Sequence, residues 1–187
     1  MRNALGQKFF NRPALKVAED LLGKYLCRGQ LGGETAKCYL ITETEAYVGP
    51  EDKASHASRG RTKRNAPMFG EAGRWYVYFT YGMHWMLNIV TGPENYPAAI
   101  LIRGTDKING PARLTKFLGI DKTLNEKSAT QKTGLWFEDG GMEIARKNIK
   151  GTPRVGVSYA GPVWSKKPYR FFLKEKAHPV EGRATER

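Results

Sequence analysis

The chain is poor in metal-binding side chains. Two cysteines and three histidines are spread through 187 residues. A closed structural zinc site usually takes four such ligands. Cys27 and Cys38 form no Cys-x-x-Cys pair, and His56, His84 and His178 are scattered, so the expectation is no metal, no cofactor and two half-buried thiols. Glu51, Asp52 and His56 offer an incomplete shell at most. Long apolar runs are missing as well. No segment approaches a membrane span, and the polar, basic N-terminus lacks the apolar stretch of a signal peptide. These absences point to a soluble protein of a reducing, cytoplasmic compartment with no membrane partner. Acidic residues are scarce, 18 against 31 Lys and Arg, for a formal charge of +13. That imbalance says nothing of fold. It implies a polyanionic partner without choosing between DNA and RNA.

Repeats, low-complexity tracts and βαβ alternation are also absent, while strand-like segments are many. The expected class is therefore α+β: a single domain over 1–187 with a curved, mainly antiparallel sheet, a protruding aromatic β-hairpin and a few flanking helices. Asn11-Arg12-Pro13 reads as a helix start with Asn11 as N-cap, and Gly23 as its C-terminal stop. A loop from Gly29 to Gly33 and a strand from Tyr39 to Tyr47 follow. Residues 51–73 read as a long polar loop with room for a helical turn after Pro50, a kind that is often functional. Trp75–Thr80 and Trp85–Thr91 form the hairpin, with Gly82 in its turn. Ala98–Arg103 is a further strand and Pro111–Leu118 a short helix. Leu135–Ile144 reads as a hairpin around Asp139-Gly140-Gly141, and Val155–Tyr159 and Arg170–Leu173 as late strands. Lys174–Arg187 reads as a frayed tail.

Four groups of residues stand out. Along the first strand, Tyr39, Ile41, Glu43, Glu45 and Tyr47 share a face by the period of two. Two carboxylates among rings are unusual, because buried charges need a partner or a purpose. A carboxylate so placed has a raised pKa and suits acid–base work. Residues two apart on a strand also match, at about 6.6–7 Å, the spacing of inverting glycoside hydrolysis. On spacing alone, a salt-bridged solvated face is the favoured reading. The second group is Trp75, Tyr76, Tyr78, Phe79 and Tyr81. Most such rings are core, but an aromatic at a hairpin tip is hard to bury and fits a wedge between base pairs. Third is the basic run Arg59, Arg61, Lys63 and Arg64. Charge runs are commonly just solvated; beside stacking rings, phosphate contact is the better reading. Last come His56 and two polar residues in apolar strands, Asn88 and Arg103, whose ordinary role is hydrogen bonding to a neighbouring loop.

From Phe9 to about Leu173 the chain resembles the alkyladenine (3-methyladenine) DNA glycosylases. The likeness is carried by Glu43-Thr-Glu-Ala-Tyr47 running through Gly49-Pro-Glu-Asp52 to His56, and by Arg64-Asn65 with Met68-Phe69-Gly70. Tyr76-Val-Tyr78, Tyr81-Gly-Met-His84, Asn88, Leu101-Ile-Arg103, Gly110-Pro111 and Arg154-Val-Gly-Val157 extend it. The resemblance implies a partner, double-stranded DNA containing damaged purines, and a monomeric enzyme, nucleoid-associated if bacterial. It implies that Glu45 is the general base for water attack on the sugar C1′. Arg103 and the backbone carbonyl of Val155 would help hold that water. Tyr47, His56 and Tyr78 would wall the flipped base, with Tyr76 as a lining neighbour. The His56 amide would donate to the base edge, and Asn88 would disfavour a guanine amino group. Tyr81, with Gly82 and Met83, would enter the duplex. Glu43 is left a structural carboxylate. One departure is the short connection from Gly104 to Asn109, where relatives often have a longer segment.

Three rivals remain open at this point. A nucleic-acid-binding module explains the charge and rings but not Glu45, which repels phosphate. A glycosylase-lyase needs a Schiff-base lysine, and Lys37 or Lys53 is the nearest offer. A sugar hydrolase leaves the +13 charge without a purpose.

Overall fold

A computed structural model describes residues 2–29 and 36–174. The loop expected from Gly29 to Gly33 lies, apart from Gly29, outside the described residues, as does the expected tail apart from Lys174.

Among the described residues nine strands form one antiparallel sheet. In chain order they are β1 (Asn3–Ala4), β2 (Tyr25–Arg28), β3 (Lys37–Tyr47), β4 (Trp75–Thr80), β5 (His84–Val90), β6 (Ala99–Thr105), β7 (Leu135–Asp139), β8 (Ile149–Thr152) and β9 (Arg170–Leu173). The order across the sheet is β1-β7-β2-β3-β6-β5-β4, with β9 pairing both β3 and β8. The long strand β3 is the hub. Its first half pairs with β2, its second half with β9, and β6 runs along its other side. Four short α-helices of the described residues flank the sheet: α1 (Gln7–Phe10), α2 (Ala14–Asp20), α3 (Pro111–Phe117) and α4 (Gly161–Trp164). The expected α+β class, curved antiparallel sheet and protruding hairpin are the architecture found.

The alternation of side chains along each strand divides the sheet into a core face and a site face. Trp75 and Val77 of β4, Leu87 and Ile89 of β5, and Ile100 and Ile102 of β6 join Val17, Ala18 and Leu21 in the main core. Their neighbours in sequence, Tyr76 and Tyr78, Met86 and Asn88, and Leu101 and Arg103, all line one cavity on the opposite face. Register thus decides function here, because a slip of one residue would send every ring and polar group into the core. On β3 the alternation is interrupted. Register shifts lie between Ile41 and Glu43 and between Glu43 and Thr44. The bulge puts Ile41 in the core with Ala46, while Thr44 donates to the Ala18 carbonyl of α2 at 2.9 Å. Ile41 therefore does not share the face of Glu43 and Glu45, as a strict period of two implies.

Several local expectations are corrected. Pro13, not Asn11, occupies the N-cap of α2, and Asn11 instead ends the preceding turn α1. Leu135–Ile144 is no hairpin: both sides of β7 are taken by β1 and β2, and the chain turns away after Asp139. Val155–Tyr159 is no strand, because Gly156 takes a φ of 74° and Ser158–Ala160 closes a 3-10 turn. The long loop 51–73 carries 3-10 turns at His56–Arg59 and Ala66–Phe69. Cys27 and Cys38 are joined in a disulfide rather than free. They sit directly opposite on β2 and β3, with Cα atoms 4.0 Å apart, a pairing hidden until the register of those strands is known. The Gly104–Asn109 connection is a tight turn docked on β3, where Leu40 N donates to the Asp106 carboxylate at 2.9 Å.

Candidate active site

Glu45 sits at the centre of the sheet with no solvent exposure. Burial of that kind is tolerated only with partners, and the fold supplies three. The Val155 N–H donates to Glu45 Oε1 at 2.9 Å, Arg103 Nη1 lies 3.3 Å from the same oxygen, and the Tyr47 hydroxyl donates to Oε2 at 3.0 Å. Desolvation still dominates and raises the Glu45 carboxyl above its ordinary 4.5, with Arg103 pulling the other way. It is the amide of Val155, not its carbonyl, that touches the carboxylate.

Arg103 is held from behind. Glu43 Oε1 accepts Arg103 Nε at 2.7 Å and Arg170 Nε at 2.6 Å. One carboxylate thus spreads two guanidinium charges and aims a third contact at Glu45. The spacing argument for two cooperating carboxylates fails on this geometry: Glu43 is engaged by arginines.

The rings surround Glu45. His56 and Tyr78 meet edge to face with centroids 4.6 Å apart, and Tyr76 and Tyr78 lie tilted at 36° with centroids 5.1 Å apart. His56 Nδ1 shares a hydrogen bond of 2.9 Å with the Tyr76 hydroxyl. Burial first, then the charge of Arg64, holds the His56 imidazole below its ordinary 6.5. A neutral ring at neutral pH leaves a cationic guest unopposed. Desolvation also pushes the Tyr78 phenol up to about 12, so it stays a neutral wall. Asn88, nearly buried, donates its amide to the Tyr76 carbonyl at 3.1 Å, which fixes how its side chain faces the cavity. Together these groups bound a cavity of about 280 Å³. Glu45, Tyr47, His56, Tyr76, Tyr78, Tyr81, Asn88, Arg103 and Val155 all line it.

The hairpin tip closes one side of the mouth. Tyr81 is 81 % exposed and Met83 65 %. Met83 N donates to the Thr80 carbonyl at 3.1 Å, across Tyr81 and Gly82 at φ of 53° and 66°. Two positive-φ residues match the twist of the strands, but a bulky tyrosine is rare in that conformation. Asparagine would sit there more easily. Tyr81→Asn should therefore stabilise the fold by about 1 kcal/mol, given a left-handed penalty of roughly 1–2 kcal/mol for ordinary residues. A thermal melt at or above wild type would show that the tyrosine is kept for its side chain; a lower melt would mean it packs in the free protein.

The basic run is only partly drawn in. Arg64 donates to the Phe79 carbonyl at 2.9 Å and lies over the Tyr78 ring at 5.2 Å. Arg61 lies over the Phe69 ring at 5.4 Å. Arg59, Arg61, Lys63 and Arg64 are all exposed and none lines the cavity. Buried Asn65 staples the run, donating to the carbonyls of His56 and Gly60 at 2.9 Å each.

Sequence reasoning passes over a second buried pair. Arg154 and Asp52 have fully buried side chains and bond twice, at 2.5 and 2.8 Å. Arg154 also donates to the Ala46 carbonyl at 2.8 Å and lies 4.7 Å from the Tyr47 ring centroid. Asp52 accepts the amides of Val48 and Ala54 at 3.1 Å each. The sequence offers Asp52 only as a metal ligand. Among the described residues the one cluster of metal-type side chains is Cys27, Cys38 and Glu138, and its sulfurs are already bonded to each other.

A deep ring-lined cavity with a buried carboxylate, on a basic α+β scaffold, describes a hydrolase that accepts a flat guest. Comparison with known proteins narrows this. The family profile described as Methylpurine-DNA glycosylase (MPG) matches residues 8–109 and 104–177. A protein of Methanocella arvoryzae is 42% identical over 91% of this chain and 92% of its own. One from Ehrlichia chaffeensis is 44% identical, covering 82% and 86%, and one from Myxococcus xanthus 37%, covering 96% and 95%. Each is named "Putative 3-methyladenine DNA glycosylase". The chain belongs to the methylpurine-DNA glycosylase family, and with it to the DNA-binding hydrolases that cleave N-glycosyl bonds. Among its described residues no helix is long and apolar enough to cross a membrane.

Proposed function

We propose that the protein starts base excision repair by flipping alkylated or deaminated purines out of duplex DNA and hydrolysing their bond to the sugar without a covalent enzyme intermediate. The observation that carries this reading is the placement of Glu45: a fully buried carboxylate in a ring-walled cavity that opens beside an exposed hairpin tip.

An enzyme acting on one base must take it from the stack, at a cost of a few kcal/mol. Tyr81, backed by Gly82 and Met83, fills the gap in the duplex and offsets that cost. The base enters between Tyr47 on one side and His56 and Tyr78 on the other, with Tyr76 behind and its edge meeting the His56 amide. Stacking tolerates many bases, at roughly 1–3 kcal/mol each. An alkylated purine carries positive charge, is electron-poor and leaves readily. The Glu45 charge steadies the oxocarbenium-like sugar as the bond to the base breaks and the base leaves with its electron pair; Arg103 and the Val155 backbone carbonyl help hold the water that attacks C1′, and Glu45 takes its proton. Asn88 stands where it would meet a guanine amino group. 3-Methyladenine fits this chemistry directly, 7-methylguanine fits it by charge but against the Asn88 gate, and hypoxanthine and ethenoadenine are the neutral extension. A lyase step needs an amine nucleophile, and no lysine is among the described residues that line the cavity. The enzyme acts as a monomer on double-stranded DNA, with no metal or cofactor.

The test is base release from duplexes carrying each of these four lesions, with borohydride present in a parallel reaction. Free base without a trapped adduct is expected. A trapped adduct would replace the hydrolytic reading with a lyase, and no release from any lesion would sink the proposal.

The exposed run Arg59, Arg61, Lys63 and Arg64 serves as a phosphate-binding surface. Removing one phosphate-bound cation should lower the slope of log affinity against log salt by about 0.9. Arg59→Gln, Arg61→Gln and Lys63→Gln together should flatten that slope measurably. An unchanged slope would leave the run as a solvated surface.

A further inference from the structure

Seven large hydrophobic side chains are exposed among the described residues. Three of them line the mouth of the same cavity. Tyr81 stands on the hairpin side, and Val155 and Tyr159 on the other, at 52 % and 67 % exposure. Exposed apolar side chains gathered at a cavity mouth mark an interaction surface rather than scatter. Tyr159 is not loose. Its hydroxyl donates to the Ala54 carbonyl at 3.0 Å, which leaves the ring standing at the mouth with its face open. Held rings sacrifice little entropy on binding.

The charge of this rim is also one-sided. From Val155 to Lys167 the chain has two basic residues, Lys166 and Lys167, and no acidic one. Between Lys53 and Gly70, a segment that meets the rim through Ala54, it has five basic residues and no acidic one. Two acid-free segments thus flank the mouth. Beside this rim Arg154 is consumed by Asp52 and Arg170 by Glu43, but Lys166, just beyond α4, is exposed.

We propose that the segment Val155–Lys167 is a second DNA-contacting rim, which receives the sugar-phosphate backbone of the strand that carries the flipped nucleotide. The inference rests on the base-excision reading above. With the base in the cavity and the hairpin tip in the vacated stack, the connecting backbone must cross the mouth. Val155, Val157 and Tyr159 of this segment line that mouth together with Tyr81 of the hairpin tip. Tyr159 packs its ring on the deoxyribose side of the flipped nucleotide, and Lys166 takes an adjacent phosphate.

The experiment uses the full chain and a duplex bearing a tetrahydrofuran abasic-site analogue. Affinity is measured against salt for wild type, Tyr159→Ala, Tyr159→Phe and Lys166→Ala. Tyr159→Ala is expected to weaken binding roughly tenfold, within the range of removing one aromatic ring from a nucleic-acid surface, and Tyr159→Phe to bind close to wild type. Lys166→Ala is expected to lower the salt slope by about 0.9. Methylphosphonates placed singly in the flipped strand should abolish the Lys166→Ala effect at one position. Coupling only to the opposite strand would overturn the strand assignment, and wild-type affinity and slope in Tyr159→Ala and Lys166→Ala would overturn the rim. Wild-type release of 3-methyladenine is run alongside. If that release fails, the excision reading falls; if it succeeds while the rim variants bind normally, only the rim falls.

Discussion

Glu45→Gln should abolish base release while leaving the protein folded and able to bind lesion DNA. The expected drop is about 10²–10⁴-fold in single-turnover rate, the usual worth of a positioned general base. The geometry allows the exchange without strain. A glutamine Oε1 can still accept from the Val155 amide and Arg103, and its Nε2 can donate to a Tyr47 hydroxyl that has turned about. Stability should move the other way. Burial raises the Glu45 carboxyl in the folded chain, so folding favours its protonated form. The stability this confers is fully present below the unfolded value and lost as pH rises through the folded one. Near neutrality the wild type therefore carries an ionised carboxylate that its fold disfavours, and Glu45→Gln should melt at or above it. The gap should close on acidification. In the same window the wild-type release rate should climb with pH, its midpoint above 4.5. A variant that releases base at the wild-type rate would remove Glu45 from the chemistry. One that melts far below wild type at pH 7 would show that the carboxylate is structural.

The reason Glu45 can be read from the sequence is that it breaks a pattern. Charge on a face with Tyr47 is costly, and the alternation that exposes the anomaly is local. The same holds for the hairpin: Tyr81-Gly82 between two β-prone runs is a short-range signal, and its strands, tip and turn lie where that signal puts them. The fold class follows from the many strand-like segments without βαβ spacing. What escapes is long-range. The Cys27–Cys38 bond depends on the register of β2 against β3, and β2 itself is only four residues long. The Leu135–Ile144 hairpin fails because β7 finds its partners at residues 3–4 and 25–28, not next door. Tyr159 reads as a strand end because a Val-x-Val run is β-prone, while Gly156 at positive φ undoes it. Arg154 and Asp52 are 102 positions apart, and neither breaks a local pattern. The Gly-Pro-Glu-Asp and Arg-Val-Gly-Val stretches contain both residues, yet nothing in either stretch says that one charge is buried against the other.

That buried pair should prove the most damaging place to break the fold. Asp52→Asn would leave Arg154 charged, buried and without its counter-ion. Removing one partner of such a pair costs about 3–5 kcal/mol, or a fall in melting temperature of roughly 6–20 °C for a chain of this size. The damage would reach the site, because Arg154 ties three pieces together: the Ala46 carbonyl in β3, the Tyr47 ring, and Val155, whose amide holds Glu45. A second change separates the two effects. Adding Arg154→Met to Asp52→Asn removes the stranded charge, and the asparagine can still accept the Ala54 amide. Stability should then recover in large part, since apolar replacements of buried pairs are often close to neutral. Activity should not recover, because the methionine can neither bond Ala46 nor brace Val155 beside Glu45. Thermal melts and single-turnover release of 3-methyladenine, measured on both variants, distinguish these outcomes. A single variant within roughly 2–4 °C of wild type, the equivalent of about 1 kcal/mol, would mean that the charge finds water or another partner. A double variant that regains both stability and rate would mean that the pair holds the fold but not the site.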